Sequence, residues 1–513
     1  MLVARTLWTQ LGLDTILDRL DGRASRDAVP LADRCLALVA NRLCTPSSEH
    51  GLARWLETDY VCDRQGRRWV PRWRNDEQRL ASLSPRVRVE ARQLQQWYRT
   101  LDQLHARKRQ IEQELYLRLR DLFSLQVDLV LYDLTSTFFE GLGPPQLGAH
   151  GHSRDGKPRN RQVLVGMVMV DGWPLAQHVF AGNRRDATTV PAILDDLQQR
   201  FGLRRVVFVG DRGMVTSENL ELLRSLEQGY VVGLNRRRSA TIYRYLQRAT
   251  GHWLECPVGI TASEKARPPR TRVQEVPSDR PGVRVFVVES EERLAYEQAE
   301  RLKSMERTRQ DLEALQRRVA QGKIRAADKV GAAAARLLGR NHGQRYYAWE
   351  YRDGVFDYRE HPVNLAREKA CEGKYLIQTE EPRLSALEAV QIYKSLYEVE
   401  QAFRHLKDII AMRPIYHQTD TRVEAHLFVA SLAFLLQRLL ERRLQDAGLD
   451  LSAAEALQAL HTVCVVDLDL GNDQTKRSVT RGSARAAAIL RAVGITDLQP
   501  PGDPSEREVE LVL

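Results

Sequence analysis

A mixed α/β fold behind a helical N-terminal region is predicted by three features of this 513-residue chain. Residues 1 to 122 carry their apolar side chains at helical spacing. From about residue 125 the pattern changes to short apolar runs, of which RQVLVGMVMV and WPLAQHVF flank Asp171-Gly172, a pair suited to a type I′ turn. Helix and strand signals then alternate through TTVPAILDDLQQRFG, RRVVFVG, SENLELLRSLEQ and GYVVGL. Strand, hairpin, helix, strand, helix, strand describes layers around a central sheet.

Each element has a local cause. LADRCLALVANRL repeats apolar residues every three or four positions. The long segment from Ser84 begins with a capping serine and Pro85 at the first helical position, where a missing N–H costs nothing. Its Arg and Lys residues spread around the helix, as on a solvated face or one that contacts DNA phosphates. SENLELLRSLEQ is capped at Thr216 or Ser217. Residues 237–370 interrupt the order as an inserted module. It begins at the run Arg236-Arg237-Arg238 and contains the Pro- and Arg-rich EKARPPRTR. It also holds a charged amphipathic helix near 290–322, read as a structural arm, and a second hairpin signal at Asp353-Gly354. KYLIQT (374–379) reads as a strand returning to the sheet. The segments expected are therefore a helical N-terminal domain (1–122), a first core part (123–236), the insertion (237–370), a second core part (371–445) and a weakly patterned C-terminal region (446–513) whose last dozen residues read as a tail.

Composition narrows the function. Hydrophobic residues make up 43 % of the chain, enough for a core, and Lys plus Arg exceed Asp plus Glu to give a formal charge of +10. That excess suggests a polyanionic partner, nucleic acid before membrane surface. The six cysteines show no CxxC pair and no zinc-type Cys/His spacing, which favours a reducing compartment over a disulfide framework. LFVASLAFLL, the longest apolar run, is about half of what a membrane span needs. A soluble cytoplasmic protein is expected.

Three carboxylates stand at informative places. Asp133, in LYDLTSTFFEG, and Asp211, in VVFVGDRGM, fall at or after the ends of apolar strands, where functional groups of α/β sheets collect. Glu400 lies in a helix that opens with a Ser385–Glu388 capping box. Ile392, Leu396, Val399, Phe403, Leu406 and Ile410 form its apolar stripe. Tyr393, Glu400 and Lys407 recur at sevens beside that stripe, each aligned with the next within roughly 20°, over about 21 Å in all. Two Asp and one Glu offer hard oxygen ligands of the kind Mg²⁺ or Mn²⁺ prefers. Two such ions about 4 Å apart can activate a water or 3′-hydroxyl for in-line displacement at phosphorus. Arg404 and Lys407 suit backbone phosphates, and Tyr393 suits a base or a phosphate.

With these motifs the chain resembles bacterial insertion-sequence transposases of the DDE class, in the branch marked by a Tyr-Arg-Glu-Lys signature. Tyr393, Glu400 and Lys407 fit the signature, while Leu396 stands where its Arg belongs; Arg404 is the neighbouring cation that could compensate. YDLTSTFFEG, GNRRDATTV (182–190), GDRGMVTSENL and RPIYHQTDTRVEAHLFVASLAFLL extend the resemblance. It implies a ribonuclease-H-like core split by an insertion domain between Asp211 and Glu400. Asp133, Asp211 and Glu400 would be both catalytic residues and ligands of two Mg²⁺ (or Mn²⁺) ions. The implied activity is cleavage at an element's terminal inverted repeats and attack of the freed 3′-hydroxyl on target DNA, by a homodimer that synapses two ends.

Further DNA contacts are assigned to Arg212, beside Asp211, and to Arg154 and Lys157 in the basic loop GHSRDGKPRNRQ (151–162). His150, His152 and His417 are read as solvated loop histidines, and Trp173 as a hairpin packing residue. The alternatives are a nuclease with the same core but no joining activity, and a decayed or domesticated relative that only binds DNA.

Overall fold

A computed structural model describes the chain apart from residues 23–28, 65, 72–84, 124, 126, 204, 215, 235–239, 258–268, 341, 472–473, 502–508 and 512–513. The Ser84 cap, the Arg236–Arg238 run and most of EKARPPRTR lie outside the described residues. The chain divides into two compact units: Met1–Phe208 with Ser395–Leu513, and Val209–Lys394.

The first unit opens with helices Leu2–Gln10, Leu13–Asp21, Leu31–Cys44 and Leu52–Thr58, followed by the 39-residue helix Pro85–Phe123. The N-terminal region is not wholly helical. Trp69–Pro71 is a short strand paired in parallel with Val509–Leu511, so the expected tail contributes a strand. The next part is an antiparallel sheet of Leu129–Phe138, Gln162–Val170 and Trp173–Ala181, with Gln162–Val170 in the middle. That central strand is buried at all nine positions, which explains its unbroken apolar run. Asp171 and Gly172 both have positive φ (49° and 76°), as a type I′ turn requires. Beyond Asp446, where little structure is expected, the chain forms two helices and a hairpin (Val465–Asp469 with Thr475–Val479). Ser452 and Glu455 cap the first of these helices reciprocally.

The centre of this unit is the helix Asp420–Asp446, which packs on Leu31–Cys44, Pro85–Phe123 and the strand Trp173–Ala181. By length and composition it could cross a membrane, yet 89 % of its most apolar window is buried inside the protein. Its apolar residues on all sides are those of a core helix.

A buried ionic cluster joins the other layers. Arg200 pairs with both Glu112 and Asp196, Lys108 lies 2.9 Å from Glu112, and His178 lies 3.2 Å from Asp196. Glu112 also accepts the backbone N–H of Gln177 at 3.0 Å, which ties the long helix to the edge strand.

The second unit contains an antiparallel sheet in the order Gly229–Gly233, Lys374–Thr379, Arg284–Ser290, Thr271–Val276, Leu254–Glu255. KYLIQT thus sits between two neighbours, as a returning strand should. The charged helix Glu291–Ala320 packs its apolar face against the helix Ala327–Arg340 and the hairpin Tyr347–Arg352/Val355–Glu360. Asp353 and Gly354 make that hairpin's turn with φ of 51° and 80°.

Candidate active site

Asp133 lies on the strand Leu129–Phe138, opposite Met167, and is half-buried. Its Oδ1 accepts the backbone N–H of Leu134 at 2.7 Å. The helix Leu396–Asp408, which carries Glu400, packs against this same strand. Leu396, Val399, Ala402, Phe403 and Leu406 are its buried face, and Glu400 is exposed beside that face. One unit therefore brings two of the three carboxylates to a single strand–helix contact. Asp211 is exposed just after the strand Val207–Gly210, at the start of the second unit. Its separation from the other two is a property of neither unit alone.

The helix predicted to run unbroken from 386 is interrupted. One segment spans Ala386–Lys394 and the next Leu396–Asp408, with Ser395 between them at φ −66°, ψ −13°. Glu398 donates its N–H to Ser395 O at 2.9 Å, an i to i+3 bond at the start of the second segment. Tyr393 therefore falls on a different helical segment from Glu400 and Lys407. Tyr393 belongs to the second unit, half-buried, with its ring 5.7 Å from Tyr375 and its hydroxyl against Gly233. The capping box at the start is present: Ser385 N–H donates to Glu388 at 2.7 Å and Glu388 N–H to Ser385 Oγ at 3.2 Å.

Lys407 is placed differently from an open phosphate contact. Its ammonium lies 2.8 Å from Asp155 Oδ1, and the two side chains are 11 % and 2 % exposed. Burial lowers the Lys407 pKa, against the attraction of Asp155. Asp155 also accepts from Arg413, which reaches on to Asp408 at 2.6 Å. The basic loop 151–162 is thereby anchored to the end of the Glu400 helix. Arg154 in that loop pairs with Asp186 at 2.8 Å, and the Lys157 ammonium lies 5.9 Å from the Phe138 ring centroid. Arg404 is exposed. Arg212 begins a 3₁₀ turn, Arg212–Met214, directly after Asp211. Leu396, at the position of the signature Arg, is 8 % exposed and packed in the core.

Trp173 stacks on Phe123 at 4.6 Å, a packing role as expected. His150 and His152 are exposed, but His417 is not: it is 6 % exposed and faces Glu49 and His426. Its solvated reading fails because the segment 409–419 lies against the N-terminal helices. Asp155, Arg413, Glu49 and His426 escape sequence reasoning. Each meets its partners across long stretches of chain, and none falls in a recognisable spacing.

Residues 130–436 match the transposase DDE domain family, a span that holds all three carboxylates. The chain belongs to this family of DDE transposases. Among solved structures it is similar to the piggyBac transposase, seen by cryo-electron microscopy in a synaptic complex with hairpin DNA. That likeness has 9 % identity and a TM-score of 0.37, covering 90 % of this chain and 79 % of that one, too distant to carry a functional argument. None of the curated proteins compared with it matches.

Proposed function

We propose that this protein is the transposase of a bacterial insertion sequence, acting on DNA in the cytoplasm as a homodimer. It would bind terminal inverted repeats, cut at them and join the freed ends to target DNA. The observation that carries this reading is the packing of the Glu400 helix on the Asp133 strand, in a chain of the DDE transposase family.

The donor set suits Mg²⁺ or Mn²⁺. Asp133, Asp211 and Glu400 offer only carboxylate oxygens, and Asp211 and Glu400 are exposed where a phosphodiester could reach them. Two bound ions would supply Lewis-acid activation of the attacking hydroxyl and charge neutralisation at the leaving oxygen. The chain's own contribution is positional. The buried stripe of the helix holds the Glu400 side chain at the margin of the core, and the ladder to Met167 fixes Asp133. Arg404 and Arg212 are the cations proposed to hold backbone phosphates, joined by Arg154 and Lys157 of the anchored loop, by Lys407 once Asp155 releases it, and by Tyr393 as the aromatic contact.

The test is cleavage and joining of DNA that carries the element's own ends. Wild type should nick these ends with Mg²⁺ and yield joined products. Asp133→Asn, Asp211→Asn and Glu400→Gln should each lower the rate by about a hundredfold or more, since loss of one ligand removes several kcal/mol of transition-state stabilisation. Nicking without joined product would select the nuclease reading, and binding without nicking the DNA-binding relative.

A further inference from the structure

A second group of ligating side chains, distinct from the three carboxylates, lies within the first unit. Glu49 follows the helix Leu31–Cys44, His417 sits in the segment between the Glu400 helix and the core helix, and His426 is on the core helix. Their ligand atoms all lie within 4.8 Å of one another. The side chains are 11 %, 5 % and 5 % exposed.

The hydrogen-bond pattern leaves two acceptors facing each other. His426 Nε2 lies 3.2 Å from Met412 O, which only accepts, and its Nδ1 lies 3.2 Å from Arg42 Nη2, which only donates, so the ring proton is on Nε2 and Nδ1 bears a lone pair. That Nδ1 lies 3.4 Å from Glu49 Oε1. A lone pair and a carboxylate at this separation need an electropositive group between them. Arg42 supplies one only loosely, at 3.2 Å from His426 Nδ1 and 3.4 Å from Glu49, while its Nη1 donates to Ala411 O at 3.1 Å.

The remaining separations fit an ion better than a hydrogen bond. His417 Nε2 lies 3.5 Å from Glu49 Oε2, long for a direct bond. Neighbouring ligand atoms of a tetrahedral zinc with bonds of 2.0–2.2 Å stand about 3.4 Å apart. Two imidazoles and one carboxylate are a borderline donor set, suited to zinc and unsuited to Mg²⁺. A ligand histidine usually donates its second nitrogen to a carbonyl or carboxylate, as His426 does to Met412.

We propose that Glu49, His417 and His426 bind a Zn²⁺-class ion that fastens the N-terminal helices to the segment carrying the chain from the Glu400 helix into the core helix. This site is independent of the Mg²⁺ chemistry proposed above. Arg42 is its internal competitor. Ala411, held at φ 51° beside the two tethered carbonyls, shows how tightly the segment is fixed there.

The experiment uses the full chain with Asp133→Asn, Asp211→Asn and Glu400→Gln combined, so that those carboxylates contribute no zinc binding. Metal analysis after dialysis should find about one zinc per chain, and Co²⁺ should give the visible absorption of a tetrahedral centre. Chelation should lower the thermal midpoint, and zinc should restore it. Glu49→Gln and His417→Gln should lose the metal and the response to chelator, whereas Arg42→Gln should bind zinc at least about tenfold more tightly. Because chelation acts on the unsubstituted cluster, failure of a variant to fold does not spoil the test. No retained zinc, a featureless Co²⁺ spectrum, or zinc taken up only by Arg42→Gln would overturn the proposal and leave an arginine-bridged ion pair.

Discussion

Asp155 serves two cations with one buried carboxylate. Removing it strands the Lys407 ammonium in a site that already disfavours its charge, so Asp155→Ala should cost about 3 kcal/mol, read from the urea midpoint. An unchanged midpoint would mean that the loop is held by other contacts. Leu396 gives a second test. The related signature has an arginine there, yet the side chain is core, and Leu396→Arg should destabilise the first unit by about 2 kcal/mol rather than improve DNA binding. Denaturation and binding curves on one preparation separate the two effects. The element positions of the carboxylates were readable where residue type sufficed: Asp133 lies on its strand, Asp211 just after one and Glu400 beside a buried helical stripe. The ion pair of Lys407 was hidden because its partner lies in a loop more than two hundred residues earlier.

Among the elements, hairpins and caps were the most legible, because their chemistry is local. Asp171-Gly172 and Asp353-Gly354 meet a φ requirement that few other pairs satisfy. The Ser385 box is equally local, and Ser385→Ala should lower the stability of the second unit by about 1 kcal/mol, seen as a shifted thermal midpoint. The break at Ser395 was illegible, since neither proline nor glycine marks it and the apolar spacing runs through it. The ionic cluster of Glu112, Asp196 and Arg200 was also hidden, because it joins two helices and a strand. Burial disfavours the charge on Glu112, but Lys108 and Arg200 prevail; for Asp196, His178 and Arg200 prevail. Both carboxyls are therefore held below their ordinary range. Groups depressed in this way stabilise the folded state above their unfolded pKa, about 4, and that contribution fades as pH falls through the folded values. Glu112→Gln should cost about 3 kcal/mol at neutral pH and flatten the loss of stability below about pH 4, measured by urea unfolding across pH.

For the molecule as a whole, the charge of +10 sets the terms of the proposed encounter with DNA. If six to ten phosphates are contacted, affinity should fall about 10³- to 10⁵-fold between 50 and 200 mM salt, which filter binding or fluorescence anisotropy can follow. A flat salt response would argue against a polyanionic partner. The layered α/β plan was legible because helical and strand periods differ. The division of the chain at Phe208 and Ser395 was not, because neither point carries a compositional boundary.

The core helix Asp420–Asp446 has a further consequence, for biosynthesis. Its greasy surface is harmless only while older parts of the polypeptide wrap it, and those parts leave the ribosome hundreds of residues ahead of it. A carboxy-terminal fragment made alone would emerge without that wrapping. To the export machinery and to lipid it would resemble an anchor segment, so such fragments should sediment with membranes or as inclusion bodies, whereas the intact product stays in the supernatant.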